Sequence, residues 1–366
     1  MNLTSRERLL RLFRGEPIDR IPIWLLAPYH PLKYYANIYS LDCYRPIVQA
    51  IECYCDTFDR RRPDVGFAYN ASPQIRIVPI SEGGRSGTRV SCGAQALESF
   101  VEHSGGRTRR KFFITEPEQL MQMLEWPFLP PQPPLEPFRR ERAELSERGL
   151  LMMDLGDPLE PLYHLLDASD FSMWTLTDLD ALTTFTDAMY ERALALYRYF
   201  LENDVGDVFF IVGAEFAGPP LVSPKLFGRL CQRYLRGIVD LIRAYGKHSI
   251  IHYHGNLCRL LDSFRAVTPD GLHTVEAPPV GDCTIAQARA ALGPDTVLIG
   301  NIQYDDLIRR TPEEIDHLVC EAIGEGRSGR FILSPTAGPY EESLSPRAVA
   351  NYLAFIDAGI RYGRLD

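Results

Sequence analysis

No stretch of this 366-residue chain approaches the roughly 20 consecutive apolar residues that a membrane-spanning helix needs, so no membrane partner is expected. Basic residues are in the minority. The net charge of −9 and the pI near 5.5 argue against nucleic acid as a partner, because phosphate binding wants a basic face. There is no C-x-x-C pair, and of the eight cysteines only Cys53 and Cys55 lie close together. In a chain this long that pattern reads as reduced thiols rather than a disulfide framework. The opening Met1-Asn2-Leu3-Thr4-Ser5-Arg6-Glu7-Arg8 carries charge where a secretory signal has its apolar run, so a cytoplasmic protein is expected.

What the chain does have is a recurring unit of apolar run followed by helical pattern. Strands are expected at 21–26, 65–69, 150–155, 208–212, 249–253, 272–276, 296–300 and 331–334. Most of these runs lack polar alternation, as parallel strands covered on both faces do. Between them, Ser223-Pro224, Thr311-Pro312-Glu313-Glu314 and Ser345-Pro346 each place a capping hydroxyl before a proline at the first helical position. Thr311 with Glu314, and Thr4 with Glu7, form capping boxes. Eight strands alternating with helices predict a TIM (β/α)8 barrel, with a doubly wound open sheet as the rival architecture.

The spacing breaks between the second and third strands, where about eighty residues replace a crossover of a dozen or more. Short strands are expected there at 74–79, 88–92, 97–102 and 109–114, turned at Gly83-Gly84 and Gly105-Gly106. The insertion, at about 74–115, is expected to be an antiparallel flap beside the barrel mouth or a decorative subdomain. A stiff proline-rich segment, 127–134, follows it.

The densest chemistry lies in Ile250-Ile251-His252-Tyr253-His254-Gly255-Asn256, where two imidazoles stand at i and i+2 as an apolar strand runs out. Residues two apart in a strand share a face, and imidazole binds metals and titrates near neutrality. Strand C-termini are where a TIM barrel keeps its chemistry. Glu215 follows the strand 208–212 and Glu276 ends the strand 272–276. Either carboxylate is placed to complete a zinc site with two imidazoles or to act as an acid or base. Asp154, at the end of the third strand, is read as a substrate contact or a turn former, and Asn301 is polar just after an apolar run. Tyr340, after Gly338-Pro339, is expected to close the site from the eighth strand, and Trp24 to contact substrate from the first. Cys283 is expected to be buried and inert. Arg60-Arg61-Arg62 reads as a solvated helix end, with docking of an acidic protein as the alternative.

Several landmarks fall in one order along the chain. They are Ser5-Arg6-Glu7-Arg8-Leu9, Gly15-Glu16-Pro17-Ile18-Asp19-Arg20-Ile21-Pro22, Ser223-Pro224-Lys225-Leu226-Phe227, His252-Tyr253-His254-Gly255-Asn256, Gly300-Asn301-Ile302 and Phe331-Ile332-Leu333-Ser334-Pro335. In these the chain resembles the uroporphyrinogen decarboxylase superfamily, which also contains corrinoid-dependent methyltransferases. The methyltransferase branch binds zinc through an H-x-C motif and a later cysteine. Here His252 matches the histidine, His254 stands where that cysteine would be, and no cysteine lies near Ser334-Pro335-Thr336-Ala337-Gly338. The decarboxylase branch grips its substrate's acetates with an arginine after the first strand. This chain continues Ile23-Trp24-Leu25-Leu26-Ala27-Pro28-Tyr29-His30 instead.

The resemblance therefore implies a methyltransferase that passes a methyl group from a small methoxy compound or similar donor to a corrinoid on a separate protein. It also implies zinc at His252, His254 and Glu215 or Glu276, and a homodimer as in many relatives. A carboxy-lyase acting on a small carboxylated substrate, and a metabolite-binding barrel without catalysis, stand as alternatives.

Overall fold

The computed structural model describes residues 3–104 and 106–365. Seven strands form one parallel sheet: β1 (Thr57–Arg61), β6 (Gly149–Gly156), β7 (Val208–Val212), β8 (His248–His252), β9 (Gly271–His273), β10 (Val297–Ile302) and β11 (Phe331–Pro335). They pair in that order, with helices in the connections. The chain around Ile23 occupies the gap between the two sheet edges. Ile23 bridges Leu333 in parallel, the Trp24 N–H donates to the Leu333 carbonyl at 2.9 Å, and the Asp56 N–H donates to the Ile23 carbonyl at 2.7 Å. The curled sheet is TIM-like, and the open doubly wound alternative is set aside.

The eighth strand, expected at 21–26, is reduced to this bridge for a local reason. Pro22 has no N–H to donate, and the Ile23 N–H goes to the Asp56 carboxylate at 3.0 Å rather than to a neighbouring carbonyl. That carboxylate is also gripped by Arg8 and Arg20 at 2.6 and 2.7 Å, so a side-chain cluster replaces the ladder.

The second strand lies at Thr57–Arg61, not at 65–69. Residues 65–69 form a turn in which Ala68 and Tyr69 take φ of 50° and 56°. The true strand reads Thr-Phe-Asp-Arg-Arg, so its charged residues hide it from a search for apolar runs. Arg60 and Arg61 are strand residues, and all three arginines are ion-paired, so the solvated helix end is corrected. The strand expected to reach Glu276 ends at His273, and Val275 takes φ of 55°.

Alternation along the strands divides the core in two. Trp24, Phe58, Leu150, Met152, Val208, Phe210, Ile250, Val297, Ile299 and Ile332 pack inside the barrel, and Leu9, Leu12 and Phe13 of the helix Ser5–Arg14 join them. Their sequence neighbours Leu151, Met153, Phe209, Ile211, Ile251, Leu298 and Leu333 face the outer helices. Extending the inward period by two residues places Arg60, Asp154, His252, Asn301 and Ser334 in the top inward layer, with His273 in register beside His252. A polar ring thus caps an apolar stack.

The insertion is a four-stranded antiparallel sheet: β2 (Ile75–Glu82), β3 (Arg85–Cys92), β4 (Gln95–Ser104) and β5 (Arg107–Lys111). Gly83 and Gly84 make its first turn at positive φ, as expected. A turn at Gly93, also at positive φ, was not read from the sequence, and Gly105 lies outside the described residues.

The capping boxes at Thr4 and Thr311 form as expected. At the second, the Thr311 hydroxyl accepts from the Glu314 N–H at 3.3 Å and the Glu314 carboxylate accepts from the Thr311 N–H at 2.9 Å. Thr311→Ala is expected to cost about 1 kcal/mol, read as a lower urea midpoint with an unchanged slope.

Candidate active site

A cavity of about 570 Å³ opens at the C-terminal end of the barrel, and of the polar ring Arg60, His252 and His273 line it. His252 and His254 both line it, their rings perpendicular with centroids 4.5 Å apart. Tyr253 between them points the other way, against Phe227 and Phe264. Strand alternation thus brings both imidazoles to one space.

The two rings differ in charge. His254 Nδ1 lies 3.0 Å from Oε1 of the buried Glu276, whose Oε2 accepts the Gly255 N–H at 2.7 Å. Burial pulls the His254 pKa down, but the hydrogen bond and charge of Glu276, aided by Glu215, outweigh it and raise the pKa above the usual value. The cationic form of His254 therefore persists to higher pH than in a free imidazole, and in that form Nε2 carries its second N–H. For His252 and His273, burial and then the neighbouring His254 charge push the pKa well below the ordinary value. Their Nδ1 atoms are 2.8 Å apart, so one carries a proton and the other accepts it. His273 Nε2 faces the Pro335 carbonyl at 3.4 Å and donates there. The network therefore assigns the shared proton to His252 Nδ1, and His252 Nε2 keeps its lone pair.

Glu215, in the 3-10 turn Ala214–Ala217, lines the same cavity. Burial raises its pKa above the ordinary carboxyl value despite the nearby His254 charge. A cationic imidazole and an easily protonated carboxyl thus stand together. Glu276→Gln would remove the charge that raises the His254 pKa and let burial dominate. The proton-donating form then persists only to lower pH, so turnover at pH 8 is expected to fall roughly tenfold to a hundredfold, with a smaller deficit at pH 6.

The site has a second half that the sequence reading missed. Arg60 is buried, its Nε and Nη2 reaching Asp154 Oδ2 at 3.0 and 2.9 Å, its guanidinium 4.6 Å from the Phe210 ring centroid. Arg60 Nη1 donates to the Tyr35 hydroxyl at 2.9 Å, and the Tyr34 hydroxyl donates to Asp154 at 3.2 Å. Asp154 is therefore the partner that holds Arg60, and turn formation falls to Asp157, which accepts from the N–H groups of Leu159 and Glu160. Arg62 pairs with Glu160 and, at 3.5 Å, with Asp154. Arg60 stands two residues after Phe58 in the inward period, a spacing that becomes informative only once 57–61 is known to be a strand.

The remaining expected residues separate. Tyr340 lines the mouth, packing on Tyr35 and Tyr304 at centroid distances of 5.8 and 5.4 Å. The Ala36 N–H donates to the Pro339 carbonyl at 2.9 Å, so the loops after the first and eighth strand positions are clasped together. Asn301 lies in β10, in register with Ser334, and is not among the residues lining the cavity. Trp24, 1% exposed, lies in the packed interior beneath the cavity, its ring 5.6 Å from His273, because its place in the inward period falls one layer lower. Cys283 is buried, which raises its thiol pKa.

Among the described residues no group of three or more His, Cys, Asp or Glu side chains is placed to hold one metal ion. Glu276 spends its oxygens on His254 and Gly255, so as arranged it does not serve as the third ligand beside the two imidazoles, whose engaged ring atoms are both Nδ1.

The family described as Uroporphyrinogen decarboxylase (URO-D) matches this chain over residues 111–357. Among solved structures, a methyltransferase from Methanosarcina mazei aligns over 99% of each chain, with a TM-score of 0.66 and 17% identity. A B12-independent methionine synthase from Shewanella sp. W3-18-1, in complex with selenomethionine, aligns over 93% of this chain and 97% of its own, with a TM-score of 0.48 and 9% identity. No protein with a curated description matches the chain. Among the described residues no helix is long and apolar enough to cross a membrane.

Proposed function

We propose, since this chain belongs to the uroporphyrinogen decarboxylase family, that it is a cytoplasmic enzyme which moves a methyl group from a small methoxylated aromatic donor to a corrinoid carried by a separate protein. The observation that carries the reading is the His254–Glu276 pair. Glu276 lies 3.0 Å from His254 Nδ1 and raises the pKa of that ring, so its proton-bearing form is favoured beside Glu215 in a cavity walled by Tyr34, Tyr35, Tyr163 and Tyr340. The tyrosine walls suit a flat ring.

As the carbon–oxygen bond breaks, its electron pair passes to oxygen. A proton supplied to that oxygen at the same moment removes the charge that makes a phenoxide or alkoxide a poor leaving group. His254 Nε2 gives that proton, the donor departs as a phenol, and the methyl carbon passes to the second substrate, the reduced corrinoid. Glu276 orients His254 and favours its charged form. No step is routed through zinc.

A second reading, loss of carbon dioxide from a small carboxylated substrate, is supported by Arg62, whose side chain is 33% exposed and borders the cavity. It would grip a carboxylate while His254 protonated the carbon left behind.

The test is turnover of a panel of methoxylated aromatics with cob(I)alamin, followed in the visible spectrum for the methylated corrinoid, before and after dialysis against a chelator. Methylation that survives the chelator is expected. Loss of activity restored by added zinc would overturn the metal-free step, and carbon dioxide release from a carboxylated compound without any methylation would favour the second reading.

A further inference from the structure

Beside the catalytic cavity lies another of about 300 Å³, beneath the flap. Its walls are mainly carbon: Val65, Phe67, Ile77, Val90, Phe113 and Leu165. Ile77 and Val90 face each other across β2 and β3, and the Phe67 and Phe113 rings meet edge to face at 5.3 Å. The two cavities share Arg62, Glu160 and His164, so one ionic cluster is a wall of both. Within it Glu160 is saturated. It pairs with Arg62, faces His164 Nε2 at 3.1 Å and accepts from the Tyr69 hydroxyl at 2.9 Å. Arg62 is 33% exposed but held by Glu160 and Asp154, whereas the His164 side chain is 60% exposed, so His164 is the part of this wall most able to turn aside.

We infer that the chamber beneath the flap is a second subsite, which takes an apolar substituent of the donor through a throat formed by Arg62, Glu160 and His164. The inference rests on the methyl-transfer reading for the identity of the donor, and names its class: a methoxylated aromatic bearing an alkyl group.

Three observations converge on an apolar occupant. A cavity of about 150 Å³ lined by aliphatic and aromatic side chains takes up benzene, so the apolar side of this one has room for a six-carbon group. Its lining loses dispersion contacts while it is empty and regains them when an apolar group enters. Ile77 is 56% exposed although it lines the chamber, so the flap holds an apolar side chain in water that an alkyl group would cover. The shared ionic wall adds selectivity, because a charged substituent would have to displace Arg62 or Glu160 from partners they already satisfy.

The experiment is calorimetric titration of phenol and its 4-methyl to 4-butyl derivatives, the demethylated products of such donors. It uses the wild type, Ile77→Trp and Thr88→Phe, each checked by circular dichroism and melting. In the wild type, affinity should rise about threefold to fourfold per methylene. In both variants, which fill the chamber from the flap side, that rise should flatten. A flat wild-type series, or the same rise in all three proteins, overturns the subsite. A rising series that flattens in the variants, alongside no methyl transfer to cob(I)alamin, would leave the subsite standing and overturn the methyl-transfer reading instead.

Discussion

His254→Gln is expected to lower the turnover number by a factor of about 10² to 10⁴, the usual contribution of a positioned proton donor. Glutamine keeps a hydrogen-bonding group near Glu276 but has no proton to give at neutral pH, so the loss reports proton transfer rather than packing. The pH profile separates the two further. In the wild type the donor form is present below the raised pKa of His254 and disappears as pH climbs through it, so turnover should hold at and above pH 6.5 before declining. The variant should show no such decline.

Linkage gives an independent check on the same group. A histidine whose folded pKa lies above its unfolded value stabilises the fold fully below the unfolded pKa of about 6.5, and that contribution fades as pH rises through the folded value. The stability difference between wild type and His254→Gln should therefore be larger at pH 5.5 than at pH 8.5. Equal differences at both pH values, with turnover retained, would remove His254 from the chemistry.

How far the sequence carried this account depended on charge. Strand β7 is apolar throughout and β6 and β11 are broken only by Asp154 and Ser334, so the 208–212 boundaries matched, 150–155 fell one residue short at each end and 331–334 one short at its C-terminal end. His252 and His254 were legible because alternation by two is a property of the backbone, and the cavity lies where the fold puts it. β1 was not legible. Its inward residues, Phe58 and Arg60, include a charge whose burial is offset by Asp154, some 94 positions away, and no local pattern announces a partner that distant. The same reason hid His273, whose register beside His252 exists only once β8 and β9 pair. Glu276 does not line the cavity, and its role as the partner of His254 depends on where β9 stops. The flap strands were legible from their turns, whereas the chamber beneath them depends on how the sheet rests on the barrel.

Arg60→Met is expected to destabilise the fold by about 3–5 kcal/mol, because it removes one partner of a buried ion pair and leaves Asp154 with the Tyr34 hydroxyl and the longer contact to Arg62. Methionine preserves most of the contact with Phe210, so the loss isolates the charge. At the 2–4 °C per kcal/mol found for domains of this general size, melting should fall by about 10 °C. Adding Asp154→Asn removes the unpaired carboxylate and should recover much of that loss, giving a coupling energy well above the experimental scatter in a double-mutant cycle. The tyrosines extend the consequence to the site. Tyr35 loses its donor from Arg60, and Tyr34 loses its charged acceptor in the double variant, so the clasp over the mouth loosens even where stability returns. Turnover should stay low in the stable double variant. Full recovery of both stability and turnover would reduce Arg60 to a packing element and leave the histidine side of the cavity to act alone.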